Sequence, residues 1–145
     1  MNIWNFLRKI KTTKQTEPSV ESTSTTRTYS SRELFSRDLE KLLNYCHKKG
    51  YGVTPGEAYR TKEQQEIHRA AGRSKVKVSQ HQKRLAMDLH IWDAVDGKHY
   101  ISDTEWKEVG LYWLLLSDKN RWGGRFKPLD EYDIGWDRWH FERRS

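Results

Sequence analysis

Residues 79–90 read SQHQKRLAMDLH, and this short stretch contains two side chains of the kind that bind metal ions. His81 lies seven residues before Asp88, and the aspartate interrupts an apolar, alternating run. A zinc ion that works in hydrolysis needs three His or carboxylate ligands and an open position for water. The best third ligand is His140, within the stretch WDRWHFERR. The hypothesis is therefore a metal centre formed by His81, Asp88 and His140.

Three further side chains could complete a hydrolytic site. Asp137 lies three residues before His140, where its carboxylate could accept a proton from the attacking water and pass it to a leaving amine. Arg60 is the candidate cation for the charge that develops on the attacked carbonyl oxygen. Ser79 could bind substrate or orient His81.

Spacing alone leaves other interpretations of these residues open. His90 would share a strand face with Asp88 and is the main rival ligand. Asp137 could be a turn residue, and Arg60 could pair with Glu57 or Glu63. Two His and one carboxylate also describe iron oxygenase centres. Those centres usually carry the acid two residues after the first His, whereas the gap here is seven.

Three helices are predicted around these residues. Apolar residues recur every three or four positions over 34–46, and Gly50 would end that helix. Thr61 would cap a second helix that ends at Gly72. A third helix would begin at Asp103 or Thr104 and run to about Leu116.

The strands are predicted from alternation. Leu85, Met87, Leu89 and Ile91 would occupy one face of a strand, and Ala86, Asp88, His90 and Trp92 the other. Asp96 and Gly97 would form the tip of a hairpin with a returning strand. Residues 117–135 are predicted to be a turn-rich loop, and a last strand around His140 would pair into the same sheet. This order predicts an α+β fold, a small and mostly antiparallel sheet with helices packed on it.

Composition limits the class of protein. The chain has 145 residues, 34% of them hydrophobic, which is enough for one small core. Its formal net charge of +7 predicts an anionic partner such as an envelope polymer, a phospholipid surface or nucleic acid. Cys46 is the only cysteine, which excludes an intramolecular disulfide and a Cys-rich zinc site and favours core packing.

The first thirty residues differ from the rest. Residues 1–11 place apolar side chains at helical spacing among basic ones, and residues 14–30 are rich in Ser and Thr. We expect a flexible linker after a segment that is frayed, docks on the domain, or makes weak contact with an anionic membrane. The sequence shows no signal peptide and no transmembrane span. The predicted division is a basic segment with linker over 1–30 and a folded domain over 31–145.

Four elements, in order, resemble one known family. SQHQKRLAMDL is similar to the S-x-H-x6-D element of the M15 zinc peptidases. EAYRTKEQ resembles that family's substrate arginine followed by a helix, and RWGGRF and DRWHFE resemble its later elements. Order and spacing agree over about residues 50–145. The sequence departs from the commonest pattern at Arg84, where many relatives have glycine.

The resemblance implies the fold of the hedgehog and D-Ala-D-Ala peptidases, with the zinc site on the sheet. It implies zinc bound by His81, Asp88 and His140, with Asp137 as acid and base and Arg60 holding a substrate carbonyl or carboxylate. Trp122, Gly123 and Gly124 would then form a turn near the site.

The function that this resemblance implies is cleavage of peptidoglycan stem peptides. A small, cationic chain without an export signal is most similar to a phage L-alanyl-D-glutamate endolysin, made in the host cytoplasm and acting on the wall after release. We expect a monomer with no specific nucleic-acid partner. The alternatives are a bacterial D-alanyl-D-alanine carboxypeptidase and a non-catalytic basic module that binds cell wall or nucleic acid.

Overall fold

The computed structural model describes residues 27–126 and 134–145. The predictions for residues 1–26 lie outside this range. The helices are α1 (Ser31–Lys48), α2 (Lys62–Ala70) and α3 (Asp103–Leu116), and a short 3-10 helix covers Gly123–Arg125. The strands are β1 (Gly52–Pro55), β2 (Ala86–Trp92), β3 (Asn120–Trp122) and β4 (His140–Arg143). The predicted α+β class is confirmed.

Each of the three α-helices begins at a hydroxyl side chain that accepts a backbone N–H from its first turn. Ser30, Thr61 and Ser102 are these caps, and the Glu or Gln three residues later bonds back to the cap's own N–H. The predicted cap Thr61 is confirmed. Gly50 and Gly72 follow α1 and α2 with positive φ angles of 82° and 71°. Glycine adopts this conformation at low cost, so both helices end where the sequence predicted.

The four strands form one antiparallel sheet in the order β1-β2-β4-β3. β4, which comes last in sequence, therefore pairs with β2 on one side and β3 on the other. Asp88 lies directly opposite His140 in this register. Since paired residues of an antiparallel sheet point to the same face, the register places these two side chains together.

Two predictions about the strands are wrong. The chain after Asp96 and Gly97 does not return as a strand and instead makes a single bridge between Trp92 and Tyr100. The Asp96 carboxylate accepts the N–H groups of Lys98 and His99. These bonds close a local turn in place of the hydrogen bonds of a strand pair. In addition, β3 lies within residues 117–135, where only a loop was expected.

The core lies between the sheet and the pair formed by α1 and α3. Its most deeply buried side chains are Leu42, Cys46, Ile91, Trp106, Val109, Trp113, Trp122 and Phe141. Burial raises the pKa of the Cys46 thiol to about 12, so this residue packs and does not act as a nucleophile. Among the described residues, no helix has the length and apolar character needed to cross a membrane.

A buried polar cluster connects β4 to α1. The guanidinium of Arg143 lies 3.3 Å from a carboxylate oxygen of Asp38, and the Asn120 side chain donates to the same oxygen at 3.1 Å. All three residues are buried. Because buried charges are tolerated only when paired and hydrogen-bonded, this cluster fixes the position of β4 relative to the helices.

Candidate metal centre

His81 is positioned by a tight turn that leads into β2. The N–H groups of Gln82 and Arg84 donate to the carbonyl oxygens of Ser79 and His81 at 3.1 and 3.2 Å. Ser79 is buried, and its hydroxyl accepts the N–H of His81 at 3.3 Å. This contact fits the predicted orienting role of Ser79. The turn buries the His81 ring almost completely, at 1% exposure.

The three predicted ligands converge on one point. His81 Nε2 lies 3.2 Å from His140 Nδ1 and 3.4 Å from Asp88 Oδ1, and His140 Nδ1 lies 3.0 Å from the same oxygen. Among the described residues, these three form the group able to hold a metal ion. Ligands about 2.0–2.1 Å from a tetrahedral zinc ion lie roughly 3.3 Å from one another. The observed spacing therefore fits zinc without rearrangement.

The other nitrogen of each imidazole is held by an acceptor. His81 Nδ1 lies 3.3 Å from the carbonyl oxygen of Ala58, and His140 Nε2 lies 2.9 Å from the carboxylate of Glu142. A carbonyl or carboxylate oxygen can only accept, so these nitrogens carry the protons. In the neutral tautomers, the lone pairs of His81 Nε2 and His140 Nδ1 then face each other and Asp88. This is the arrangement found around metal-binding histidines.

The charges in the cluster are strongly coupled. Burial raises the pKa of Asp88, but hydrogen bonds from His140 and His81 lower it more, to about 2. Burial lowers the pKa of His140, whereas its bonds to Asp88 and Glu142 raise it to about 9. Asp88 is therefore an anion at any ordinary pH, and a metal ion must displace a proton from His140 to bind near neutrality.

Asp137 lies in the turn that precedes β4, and its backbone carbonyl oxygen accepts the N–H of His140 at 3.1 Å. Burial raises the pKa of its carboxyl, the charge of His140 lowers it, and the charge of Asp88 raises it again. A carboxylate with a raised pKa suits the predicted role of proton acceptor. Gly123 leaves room for this turn, because a Cβ there would lie 2.1 Å from the backbone carbonyl oxygen of Asp137.

Arg60 is buried and forms an ion pair with Glu57. Its Nε donates to Glu57 Oε1 at 2.9 Å, its Nη2 contacts Glu57 Oε2, and its Nη1 donates to Gln65 Oε1 at 2.8 Å. The sequence left this pairing open as an alternative, and the structure shows it. Glu57 Oε2, which Arg60 contacts, lies 3.8 Å from His81 Nε2, so one glutamate separates the guanidinium from the candidate metal centre.

His90, the rival ligand, does not join the cluster. It shares the strand face of Asp88, but its Nδ1 lies 3.3 Å from the hydroxyl of Tyr100. Sequence reasoning missed Glu142 and the position of Glu57. Glu142 could have been found from its spacing, since a residue two positions after His140 on a strand shares its face.

The donor set is chemically suited to zinc. Two imidazole nitrogens and one carboxylate oxygen leave one corner of a tetrahedron for water, which is the composition of catalytic zinc sites. His81, Asp88 and His140 would hold the ion, and Glu142 and the Ala58 carbonyl would fix the two rings.

Comparisons of fold give clear matches, although no family model matches the chain and no curated protein is significantly similar to it in sequence. The L-Ala D-Glu endopeptidase ChiX of Serratia marcescens is 20% identical, with a TM-score of 0.55 over 81% of this chain and 89% of that one. A variant of the vancomycin-resistance D,D-pentapeptidase VanY from a VanB-type cassette, solved with Zn(II), is 18% identical, with a TM-score of 0.51 over 89% and 80%.

The LD-carboxypeptidase LdcB, whose structure reveals the molecular basis of its peptidoglycan recognition, is a third match. It is 16% identical, with a TM-score of 0.50 over 88% of this chain and 69% of that one. These likenesses confirm the fold that the sequence motifs implied. The chain therefore has the fold of these peptidases, the one that its resemblance to the M15 zinc peptidases predicted.

Proposed function

We propose that this protein is a zinc-dependent peptidase that hydrolyses peptide bonds in peptidoglycan stem peptides, as an endolysin of the L-alanyl-D-glutamate endopeptidase type. The observation that carries the proposal is the convergence of His81, Asp88 and His140 with the spacing of three zinc ligands. The fold shared with a D,D-pentapeptidase, an L-Ala D-Glu endopeptidase and an LD-carboxypeptidase supports the substrate class.

Different residues around the cluster would transfer the proton, stabilise the developing charge and position the ligands. When bound, zinc would supply an acidified water molecule and polarise the scissile carbonyl group. Asp137 accepts the proton of the attacking water and delivers it to the leaving amine, for which its raised pKa is suited. Arg60 stabilises the negative charge that develops on the carbonyl oxygen. Ser79 and Glu142 hold the two histidines in position.

The place of action belongs to the same proposal. We expect the protein to be made in the cytoplasm of a host bacterium and to act on the wall after release. Its net charge of +7 would favour encounter with anionic envelope polymers and would take no part in bond cleavage.

The test is digestion of purified cell wall with and without a chelator, with mass spectrometry of the released fragments. The zinc-loaded protein should release new amino termini, and the fragments identify the bond that is cut. Asp137→Asn should bind zinc normally and lose at least about a hundredfold in turnover, because it cannot accept the proton. Asp118→Asn, at an exposed position in the loop after α3, is the control and should be fully active. Cleavage that persists after the chelator has removed all zinc would refute the proposal.

A further inference from the structure

Glu57 occupies the Nε–Nη2 edge of the Arg60 guanidinium, the edge that binds carboxylates most strongly. A guanidinium binds a carboxylate most strongly through two parallel N–H groups. The Nε and Nη2 groups of Arg60 already bind the two oxygens of Glu57 in this way. Gln65 accepts from Nη1 and is itself fully buried, where its amide nitrogen donates to Val76 O at 2.7 Å. The pair is therefore fixed from both sides.

The backbone of Glu57 is also hydrogen-bonded to β2, the strand that carries Asp88. The backbone N–H of Asp88 donates to the carbonyl oxygen of Glu57 at 2.9 Å, and Glu57 Oε2 lies 3.8 Å from His81 Nε2. Glu57 thus lies between the candidate metal centre and Arg60. Its side chain is 27% exposed, so part of it remains accessible from solvent beside the candidate metal centre.

This placement changes the charge that a substrate meets. A divalent ion, Arg60 and Arg121 would bring four positive charges, and Glu57, Asp88, Glu142 and ionised Asp137 balance them. A free terminal carboxylate would add an unbalanced negative charge at a largely buried site, which is unfavourable. An uncharged peptide carbonyl adds none. Among the described residues, two of the five N–H groups of Arg60 have no acceptor, and these can donate to such a carbonyl oxygen.

We propose that Glu57 is a specificity-determining residue that directs the site to internal peptide bonds and away from bonds followed by a free terminal carboxylate. The inference rests on the proposed peptidase function. It assigns to Glu57 the choice between endopeptidase and carboxypeptidase action, by neutralising Arg60.

The experiment compares two synthetic stem peptides that differ only in the residue after the scissile bond, which ends in a carboxylate or in a carboxamide. The ratio of kcat/KM for the two peptides is measured for the zinc-loaded wild type and for Glu57→Gln. Taking a ratio within one protein cancels any effect of the substitution on zinc or on folding. The wild type should prefer the carboxamide, and Glu57→Gln should shift the ratio towards the carboxylate by roughly ten- to a hundredfold.

Two control variants separate charge from structure. Glu57→Asp keeps the negative charge and should keep the preference of the wild type. Glu66→Gln removes an exposed ion pair of the same spacing, between Glu66 and Arg69, and should leave the ratio unchanged. The inference is overturned if Glu57→Gln and the wild type give the same ratio.

Calorimetric dissociation constants for the two peptides, measured in the inactive Asp137→Asn background, give the same comparison without turnover, and an equal ratio of these constants with and without Glu57→Gln would also overturn it. A wild type that binds the peptides but cleaves neither would instead count against the proposed peptidase function alone.

Discussion

At the scale of single residues, the ring of His140 is held from both sides. Its Nδ1 faces Asp88 and His81, and its Nε2 donates to Glu142, which is buried and also pairs with Arg121 at 3.2 Å. Glu142 therefore selects the tautomer of His140 that presents a lone pair to a metal ion. It is a positioning residue, because it acts on the ion only through the histidine.

Removal of the Glu142 carboxylate should weaken zinc binding. Glu142→Ala should lower the affinity about 10- to 100-fold, since the ring of His140 loses its orientation and part of its basicity. Competition with a chromophoric chelator measures this without any assay of activity. Arg121→Gln breaks the outer ion pair and the contact of this guanidinium with the Phe126 ring, keeps the Glu142 carboxylate, and should change the affinity far less. Equal affinity in Glu142→Ala and the wild type would show that the contact is merely structural.

Zinc uptake should release a proton in the neutral range. Because the pKa of His140 is raised to about 9 by Asp88 and Glu142, the ring is protonated below that pH when no ion is bound. The ligand must be neutral, so the apparent affinity should rise about tenfold per pH unit from pH 7 and level off above pH 9. Calorimetry in buffers of different ionisation enthalpy counts the protons released. A zinc affinity that is constant from pH 7 to pH 9 would contradict the raised pKa of His140.

The candidate ligands were accessible to sequence reasoning for a physical reason. An acid within an apolar alternating run has no structural role on a half-buried face unless it is paired, so Asp88 stood out. Glu57 and Glu142 did not stand out, because the sequence contains many glutamates. Only three-dimensional distances show which of them contact the site. For the same reason, spacing could not decide whether Arg60 pairs with Glu57 or Glu63.

At the scale of elements, the turn that positions His81 ends in an unusual conformation. Arg84 has a φ of 60°, the left-handed region that glycine adopts most easily, at the position where the sequence departs from its resemblance to the M15 family. Its guanidinium lies 4.2 Å from the centre of the Tyr59 ring. The contact offsets part of the conformational cost.

Two substitutions separate the strain from the contact. Arg84→Ala keeps the strained backbone and loses the contact with Tyr59, which should lower the free energy of unfolding by about 0.5–1 kcal/mol. Arg84→Gly loses the contact but relieves a cost of about 1 kcal/mol or more, so it should be close to the wild type. Denaturant unfolding of both variants measures the difference. If the Arg84→Gly variant proved less stable than the Arg84→Ala variant, residue 84 would not adopt the left-handed conformation.

The helices were more predictable than the sheet. Their signals are local, since Ser30, Thr61 and Ser102 each precede a Glu or Gln by three residues and each satisfies the first turn. β3 has only three residues, too few for alternation to be recognised. It forms because Trp122 fits against Gly110 and Gly124, where a Cβ would lie 2.2 and 2.3 Å from the ring. The fit against Gly110 joins β3 to α3, and no local pattern in the sequence signals it.

At the scale of the whole molecule, the net charge of +7 should affect encounter and leave the chemistry unchanged. The Debye length falls from about 10 Å at 0.1 M salt to about 3 Å at 1 M. Digestion of intact cell wall should therefore slow markedly as salt rises over this range, whereas cleavage of a short, uncharged stem peptide should change little. Turbidity of wall suspensions and chromatography of the peptide measure the two rates. Equal salt dependence would place the effect in the catalytic site.

The central position of β4 links the candidate metal centre to the risk of aggregation. β4 is the only partner of β3 in the described sheet and covers the edge of β2 that faces away from β1, and His140 is its first residue. If β4 left the sheet, two unpaired strand edges would be exposed in the same event that separated the ligands. Loss of bound zinc, loss of catalysis and the onset of self-association should then coincide on heating, and added zinc should delay all three together.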